Sequence, residues 1–273
     1  MTYPHLITPS GFRTQTIQSS PENFPTWLFL PGGPGLGSEA YIELISNLNL
    51  PGTTLLVDYP NDGSNLIDDY DFNNLRRDLV TLIETHNNPV VIAHSFGGML
   101  TLATPQLKDK LSGLIILNSA PSKAWIPEIQ KQAKHYNLLD TSQTRLAYLM
   151  NPNNERFKKD MIACAPYFFT PQTLQSGIEL LQTLPYNFKL YAWAQENFHP
   201  YYECLWVPDN LPCLIIGSEL DHITPPYLFL DHPRFQIESI QLEIIQQAGH
   251  FPWFDNAKQV INKINEFADT LLP

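Results

Sequence analysis

Three residues of the sequence carry the side chains needed for nucleophilic attack on a carbonyl group: Ser95, Asp221 and His250. Ser95 is the central residue of AHSFG (93–97), in which the positions two before and two after the serine are small. This pattern is typical of a sharp strand-to-helix turn that exposes a serine hydroxyl as a nucleophile. The alternative is a serine that only caps a helix, since such short patterns also occur by chance.

A serine nucleophile also needs a base and an acid that orients the base. Asp221 follows the apolar run CLIIG (213–217), and His250 follows LEIIQQA (242–248). Of the eight histidines, His250 alone lies between the last strand-like run and the final helical pattern. The order Ser, Asp, His, with each residue after a strand, predicts a catalytic triad.

The negative charge that develops during such an attack needs backbone N–H donors. The amide of Phe96 follows the serine, and the glycine-rich loop PGGPGLG (31–37) follows the strand-like run TWLFL (26–30). We predict the amides of Gly33 and Phe96 as the oxyanion hole, since glycine lets a backbone approach a substrate closely. A dinucleotide-binding loop is the competing interpretation, but Ser38 stands where its third glycine is required.

Strand-like runs and helical patterns alternate along most of the sequence, which positions these residues at strand ends. The predicted strands are 4–8, 12–18, 26–30, 53–59, 90–93, 111–118, 213–217 and 242–248. The predicted helices are 38–48, 71–86 with Asp71 as its cap, 96 to about 107, and about 256 to 271. This alternation predicts the α/β class, with a mainly parallel sheet flanked by helices.

The alternation stops in the middle of the chain, where the sequence is helical, aromatic and interrupted by prolines. This stretch is far longer than an ordinary connection between a helix and a strand. We therefore predict a helical cap (lid) inserted at 122–210, within a core formed by 1–121 and 211–273.

Composition restricts the partners of the protein. The formal net charge is −11, which disfavours nucleic acid and anionic membranes as partners. The three cysteines are odd in number and form no C-x-x-C motif, so a disulfide framework or a zinc site is not expected.

No apolar run reaches membrane-spanning length, and the first residues lack the pattern of a signal peptide. We expect a cytoplasmic protein that acts on a small molecule or short peptide without a metal or cofactor, and the oligomeric state stays open.

Four motifs together resemble the α/β-hydrolase superfamily, and within it the proline iminopeptidase-like branch. They are PGGPG (31–35) for H-G-G-P-G, DYPNDGS (58–64) for D-x-P-G-x-G-S, GSELDHITP (217–225) for G-x-x-x-D-x-x-T-P, and GHFP (249–252) for G-H-x-P. Two positions depart from the pattern: Pro31 replaces the motif histidine, and Ala93 replaces the first glycine around the serine. The missing histidine removes one support of the oxyanion loop.

The resemblance implies a serine hydrolase that works through an acyl-enzyme. Aminopeptidases of this branch hold the substrate amine with glutamates of the cap, and here Glu196 is the nearest match, offset by one residue, with Glu203 as a second candidate. Trp193 is a further candidate for substrate binding. It lies in an aromatic segment with Phe198, Tyr201 and Tyr202, which either lines an apolar pocket or packs on its own domain. The alternatives are a small-molecule carboxylesterase or thioesterase, and a ligand-binding protein that keeps this fold without catalysis.

Overall fold

The structure is a computed structural model that describes residues 5–19 and 24–271. Its centre is one sheet of eight strands, in the spatial order β1-β2-β4-β3-β5-β6-β7-β8. The strands are β1 (His5–Ile7), β2 (Arg13–Gln18), β3 (Thr26–Leu30), β4 (Thr53–Asp58), β5 (Pro89–His94), β6 (Gly113–Leu117), β7 (Cys213–Ser218) and β8 (Ile240–Ile245). β1 and β2 pair antiparallel to their neighbours, and all other pairs are parallel.

Helices cover both faces of this sheet. They are α1 (Ile42–Asn47), α2 (Leu75–Glu84), α3 (Phe96–Leu102), α4 (Trp125–His135), α5 (Ser142–Met150), α6 (Asn154–Ala163), α7 (Ala165–Phe168), α8 (Leu174–Thr183), α9 (Phe188–Asn197), α10 (Tyr227–Leu230), α11 (Pro252–Asp255) and α12 (Ala257–Thr270). Short 3₁₀ turns lie at Glu39–Tyr41, Phe72–Asn74, Pro105–Leu107, His199–Tyr201 and Pro233–Phe235. No helix in the described part of the chain is long and apolar enough to span a membrane.

The central strands are buried on both faces because helices pack against each side. Every residue of β3, β5 and β6 is buried. Successive side chains of a strand point to opposite faces, so Leu28 and Leu30 join one hydrophobic cluster while Trp27 and Phe29 join the other. These continuous apolar runs are what a parallel sheet between two helical layers requires, and the predicted fold class is confirmed.

Two predicted elements end at least three residues earlier than expected. The helix after Ser95 ends at Leu102 rather than near Leu107, and a 3₁₀ turn follows at Pro105–Leu107. The cause is Pro105, which disfavours helical backbone at Thr104 and has no N–H to donate. The last strand ends at Ile245 rather than at 248, since Gln247 adopts a left-handed φ of 54°. Residue 4 of the first predicted strand lies outside the described residues.

The segment between β6 and β7 forms six described helices, α4 to α9. Its two ends meet, because Lys123 N donates to Tyr202 O and Cys204 N donates to Pro121 O, each over 2.8 Å. Its side chains enter both hydrophobic clusters, for example Phe157 in one and Phe198 in the other. The insertion is therefore closed at its base and packed on the sheet layers, while its division from the core as a cap stays a prediction.

Candidate active site

Ser95 lies in the tight turn between β5 and α3, and its backbone conformation is unusual. Its φ is 49° and its ψ is −114°, which is a strained combination for a residue with a side chain. Ser95 N donates to Leu117 O over 3.0 Å, which holds the turn against β6. A Cβ at Gly97 would lie 2.8 Å from Leu30 O, so only glycine fits there. Gly97 is thus a steric requirement of this turn.

The three residues predicted for catalysis form one chain of hydrogen bonds. Ser95 Oγ is 3.0 Å from His250 Nε2, and His250 Nδ1 is 3.0 Å from both carboxylate oxygens of Asp221. All three are buried, with at most 7% of any of them exposed. When Nδ1–H donates a hydrogen bond to Asp221, Nε2 is left free to accept the proton of the serine hydroxyl. The arrangement is chemically suited to general-base activation of Ser95.

Asp221 is held as an anion by the donors that surround it. Ile223 N and Thr224 N donate to one of its oxygens over 2.8 and 3.0 Å, and Thr224 Oγ1 donates to the other over 2.8 Å. Burial alone raises the pKa of Asp221, but His250 and these donors outweigh burial and hold the pKa at about 2. Asp221 is therefore ionised at neutral pH and can stabilise a protonated His250.

The loop that carries His250 is fixed from three sides. His250 N donates to Phe168 O over 2.8 Å, which ties the loop to the insertion. His94 Nε2 donates to His250 O over 2.8 Å, and Asn118 Nδ2 donates to Gly249 O over 2.7 Å. Burial, together with the neighbouring His250, lowers the pKa of His94 well below its usual range, so this donor is neutral. No sequence pattern indicated these roles for His94 or Asn118, because their partners are distant along the chain.

The glycine-rich loop after β3 lies directly beside the serine. A Cβ at Gly32 would lie 2.9 Å from Ser95 Cβ. Gly33 follows with a left-handed φ of 105°, which glycine adopts without a steric penalty. Phe96 is the first residue of α3, where backbone N–H groups have no partner within the helix. The loop and the helix start thus flank Ser95, and the donor roles of Gly33 and Phe96 stay predictions.

Asp62 supports the glycine-rich loop from behind. Its Oδ1 accepts from Gly35 N over 2.5 Å and from Gly37 N over 3.3 Å. The insertion adds a second support, because Asn187 N donates to Gly35 O over 2.9 Å. Burial, and then the nearby Asp58, raise the pKa of Asp62 well above its usual range. The motif DYPNDGS contained Asp62, but no pattern in the sequence indicated which backbone groups it would bind.

The two glutamates predicted to bind a substrate amine lie on the surface. Glu196 and Glu203 are both exposed. Within residues 5–19 and 24–271, neither carboxylate has a hydrogen-bond or ion-pair partner. The structure does not bring them into the hydrogen-bonded group around Ser95, and their role in amine binding stays a prediction.

The aromatic residues of the same segment differ in position. Trp193 is half-buried, with its ring 5.7 Å from Phe72 and 6.4 Å from Phe198. Tyr202 is buried and donates to Ala120 O, whereas Tyr201 is 73% exposed. Tyr201 therefore lies on the surface, while Trp193 packs beside Phe198, and the role of Trp193 in substrate binding stays a prediction.

Among the described residues, no group of three or more His, Cys, Asp or Glu side chains is arranged to hold a metal ion. Cys164, Cys204 and Cys213 are each buried and free.

Comparison with known proteins gives a consistent family. A sequence model described as "Alpha/beta hydrolase family" matches residues 27–263. No curated protein matches the chain.

Solved structures of three hydrolase-type proteins resemble the chain over nearly its full length. A proline iminopeptidase-related protein from Thermus thermophilus has a TM-score of 0.74 at 17% identity, and covers 100% of this chain and 99% of its own. An esterase from Rhodococcus sp. ECU1013 has a TM-score of 0.71 at 11% identity, with 100% of both chains covered. A meta-cleavage product hydrolase from Pseudomonas fluorescens has a TM-score of 0.70 at 16% identity, with 98% of both chains covered. At these identities the likeness establishes the fold.

Proposed function

The chain belongs to the alpha/beta hydrolase family, and from this premise we propose that it is a serine hydrolase that cleaves a small ester or amide through an acyl-enzyme. The observation that carries the proposal is the hydrogen-bonded chain of Ser95, His250 and Asp221, with each link near 3.0 Å. The strained φ of Ser95 supports it, since such strain is retained where the surrounding structure enforces it for function.

In the proposed reaction, His250 Nε2 accepts the proton of Ser95 as the hydroxyl attacks the substrate carbonyl. Asp221 keeps the imidazole oriented and stabilises its positive charge. The amides of Gly33 and Phe96 donate to the oxyanion of the tetrahedral intermediate. The protonated His250 then gives its proton to the leaving group, and the same residue activates a water molecule that releases the acid.

The proposed substrate is a small acyl ester rather than a peptide with a free amine. An ammonium group that binds beside the nucleophile is best held by a carboxylate enclosed at that place. Glu196 and Glu203 are exposed instead. An aminopeptidase activity, with either glutamate as the amine anchor, remains the second candidate because the motifs around Gly33 and Asp221 resemble the proline iminopeptidase-like branch.

The proposal extends to the insertion and to the location of the protein. Residues 122–210 are proposed as a cap, supported by the contacts of Asn187 and Phe168 with the loops beside Ser95. The three buried free cysteines are compatible with a reducing, cytoplasmic location.

The test compares p-nitrophenol release from a short-chain ester with p-nitroaniline release from a prolyl anilide. We expect ester turnover, and a decrease in kcat of at least about 10⁴-fold in Ser95→Ala. Ser176→Ala, at an exposed serine of α8, is the matched control and should retain wild-type turnover. Full activity of Ser95→Ala would overturn the proposal. Anilide turnover that depends on Ser95 would instead favour the aminopeptidase candidate.

A further inference from the structure

Two polar side chains of the insertion that contact each other are buried without a hydrogen-bond partner among the described residues. They are Trp125, through Nε1, and His199, through both ring nitrogens. Trp125 is 9% exposed and His199 is 4% exposed. Their rings are in contact, with centroids 5.1 Å apart at 81°. A buried polar group without a partner lowers stability, so such groups call for an explanation, and a bound ligand is one.

This pair lies against the residue that follows the proposed nucleophile. The His199 ring is 5.8 Å from the Phe96 ring, in an edge-to-face contact. Phe198, next to His199 in the chain, contacts the same ring at 5.2 Å. Phe96 directly follows Ser95 and begins α3. The pair therefore packs on the residue next to Ser95 in the chain.

The chemistry of the pair defines what it can bind. The indole Nε1–H of Trp125 only donates, and a neutral imidazole has one donor and one acceptor nitrogen. Burial lowers the pKa of His199 to about 4, and no charged side chain contributes to this shift. The pair therefore offers two hydrogen-bond donors and one acceptor, without a net charge. An uncharged oxygen acceptor fits this site, whereas an ammonium group would face the Trp125 N–H.

We propose that Trp125 and His199 form a subsite for an uncharged oxygen acceptor, such as a ketone or amide carbonyl, carried by the substrate of Ser95. The inference rests on the proposed function, because it concerns the selectivity of that same site. It predicts that the enzyme prefers oxygenated esters to alkyl esters of the same size.

The experiment measures kcat/KM for two pairs of esters that differ by a ketone oxygen. One pair, p-nitrophenyl 4-oxopentanoate and p-nitrophenyl pentanoate, places the ketone in the acyl group. The other, 2-oxopropyl acetate and propyl acetate, places it in the leaving group. The ratio within a pair is compared between proteins, so the intrinsic reactivity of each ester cancels. In at least one pair, we expect Trp125→Phe and His199→Phe to lower the oxo-to-alkyl ratio about tenfold from the wild-type value.

Thermal stability separates this role from a structural one. Trp206 is as buried as Trp125, but its Nε1 donates to Thr101 O over 2.8 Å. Trp206→Phe should therefore lower Tm and leave the selectivity ratio unchanged. Trp125→Phe and His199→Phe remove unpaired buried nitrogens, so their Tm should stay level or rise while the ratio falls.

Two results would overturn the subsite while the proposed function stands. One is an unchanged ratio in both ester pairs for Trp125→Phe and His199→Phe, with turnover that still depends on Ser95. The other is a large loss of Tm in both variants, which would assign the pair to folding. If the wild type cleaves none of the four esters, the subsite is also rejected, and labelling of Ser95 by a fluorophosphonate then decides whether the proposed function survives.

Discussion

The buried polar groups around Ser95 and those around His199 differ in their hydrogen-bond pairing. Ser95, His250 and Asp221 satisfy one another, and Asp221 accepts three further hydrogen bonds. Trp125 and His199 are equally buried, but their nitrogens have no partner among the described residues. A paired cluster stabilises its own geometry, whereas an unpaired one costs stability and gains a partner only from outside. The first cluster is suited to catalysis, and the second is suited to binding a group of the substrate.

The two clusters also lie on different parts of the fold. The residues of the Ser95 cluster follow β5, β7 and β8, at the end of the sheet where ligands bind in such folds. Trp125 and His199 lie on the insertion between β6 and β7. We infer that the sheet positions the reactive groups, while the insertion selects the substrate.

In the comparison of the two clusters, the larger effect is expected from breaking the paired cluster at Asp221. In Asp221→Asn the amide cannot stabilise the protonated His250 and favours the wrong tautomer, so kcat should fall about 10³- to 10⁴-fold. Steady-state kinetics on the short-chain ester measures this. Asp231→Asn, at an exposed aspartate, is the control and should retain activity. A loss of less than tenfold in Asp221→Asn would show that the pairing does not serve catalysis.

A smaller effect, on stability, is expected from the unpaired cluster. The pKa of His199 is about 4 in the folded protein and about 6.5 in an unfolded chain. Between pH 6.5 and pH 4 the unfolded chain therefore binds a proton that the folded protein does not bind. The free energy of unfolding should decrease by up to about 3 kcal/mol as the pH falls over this range. This loss should be absent in His199→Phe.

Denaturant unfolding at several pH values measures this difference. His135→Phe is the control, because His135 is exposed, and it should keep the wild-type dependence on pH. If the free energy of unfolding changes with pH in the same way in the wild type and in His199→Phe, the burial of His199 does not destabilise the folded protein at low pH.

The sequence predicted the fold class and the positions of Ser95, Asp221 and His250 at strand ends, because each rests on a local pattern. A tight turn needs small residues at Ala93 and Gly97, and apolar runs mark the strands that precede Asp221 and His250. The helix after Ser95 was predicted too long, although Pro105 was visible in the sequence and carried the signal for an earlier end.

The supporting contacts had no such local signal. Asp62 binds the amide of Gly35, and Phe168 binds the amide of His250, across long stretches of chain. The contact of Trp125 with His199 likewise joins the two ends of the insertion. Such contacts depend on how the insertion packs on the sheet, which no short motif records.

The most direct test of the central claim is covalent labelling with a fluorophosphonate, followed by mass spectrometry of the intact protein and its peptides. A serine activated by His250 should take up one label per chain, in the peptide that contains Ser95. The label should be absent in Ser95→Ala and in protein unfolded before treatment. A label on another serine, or none on the folded wild type, would contradict the assignment of Ser95 as the nucleophile.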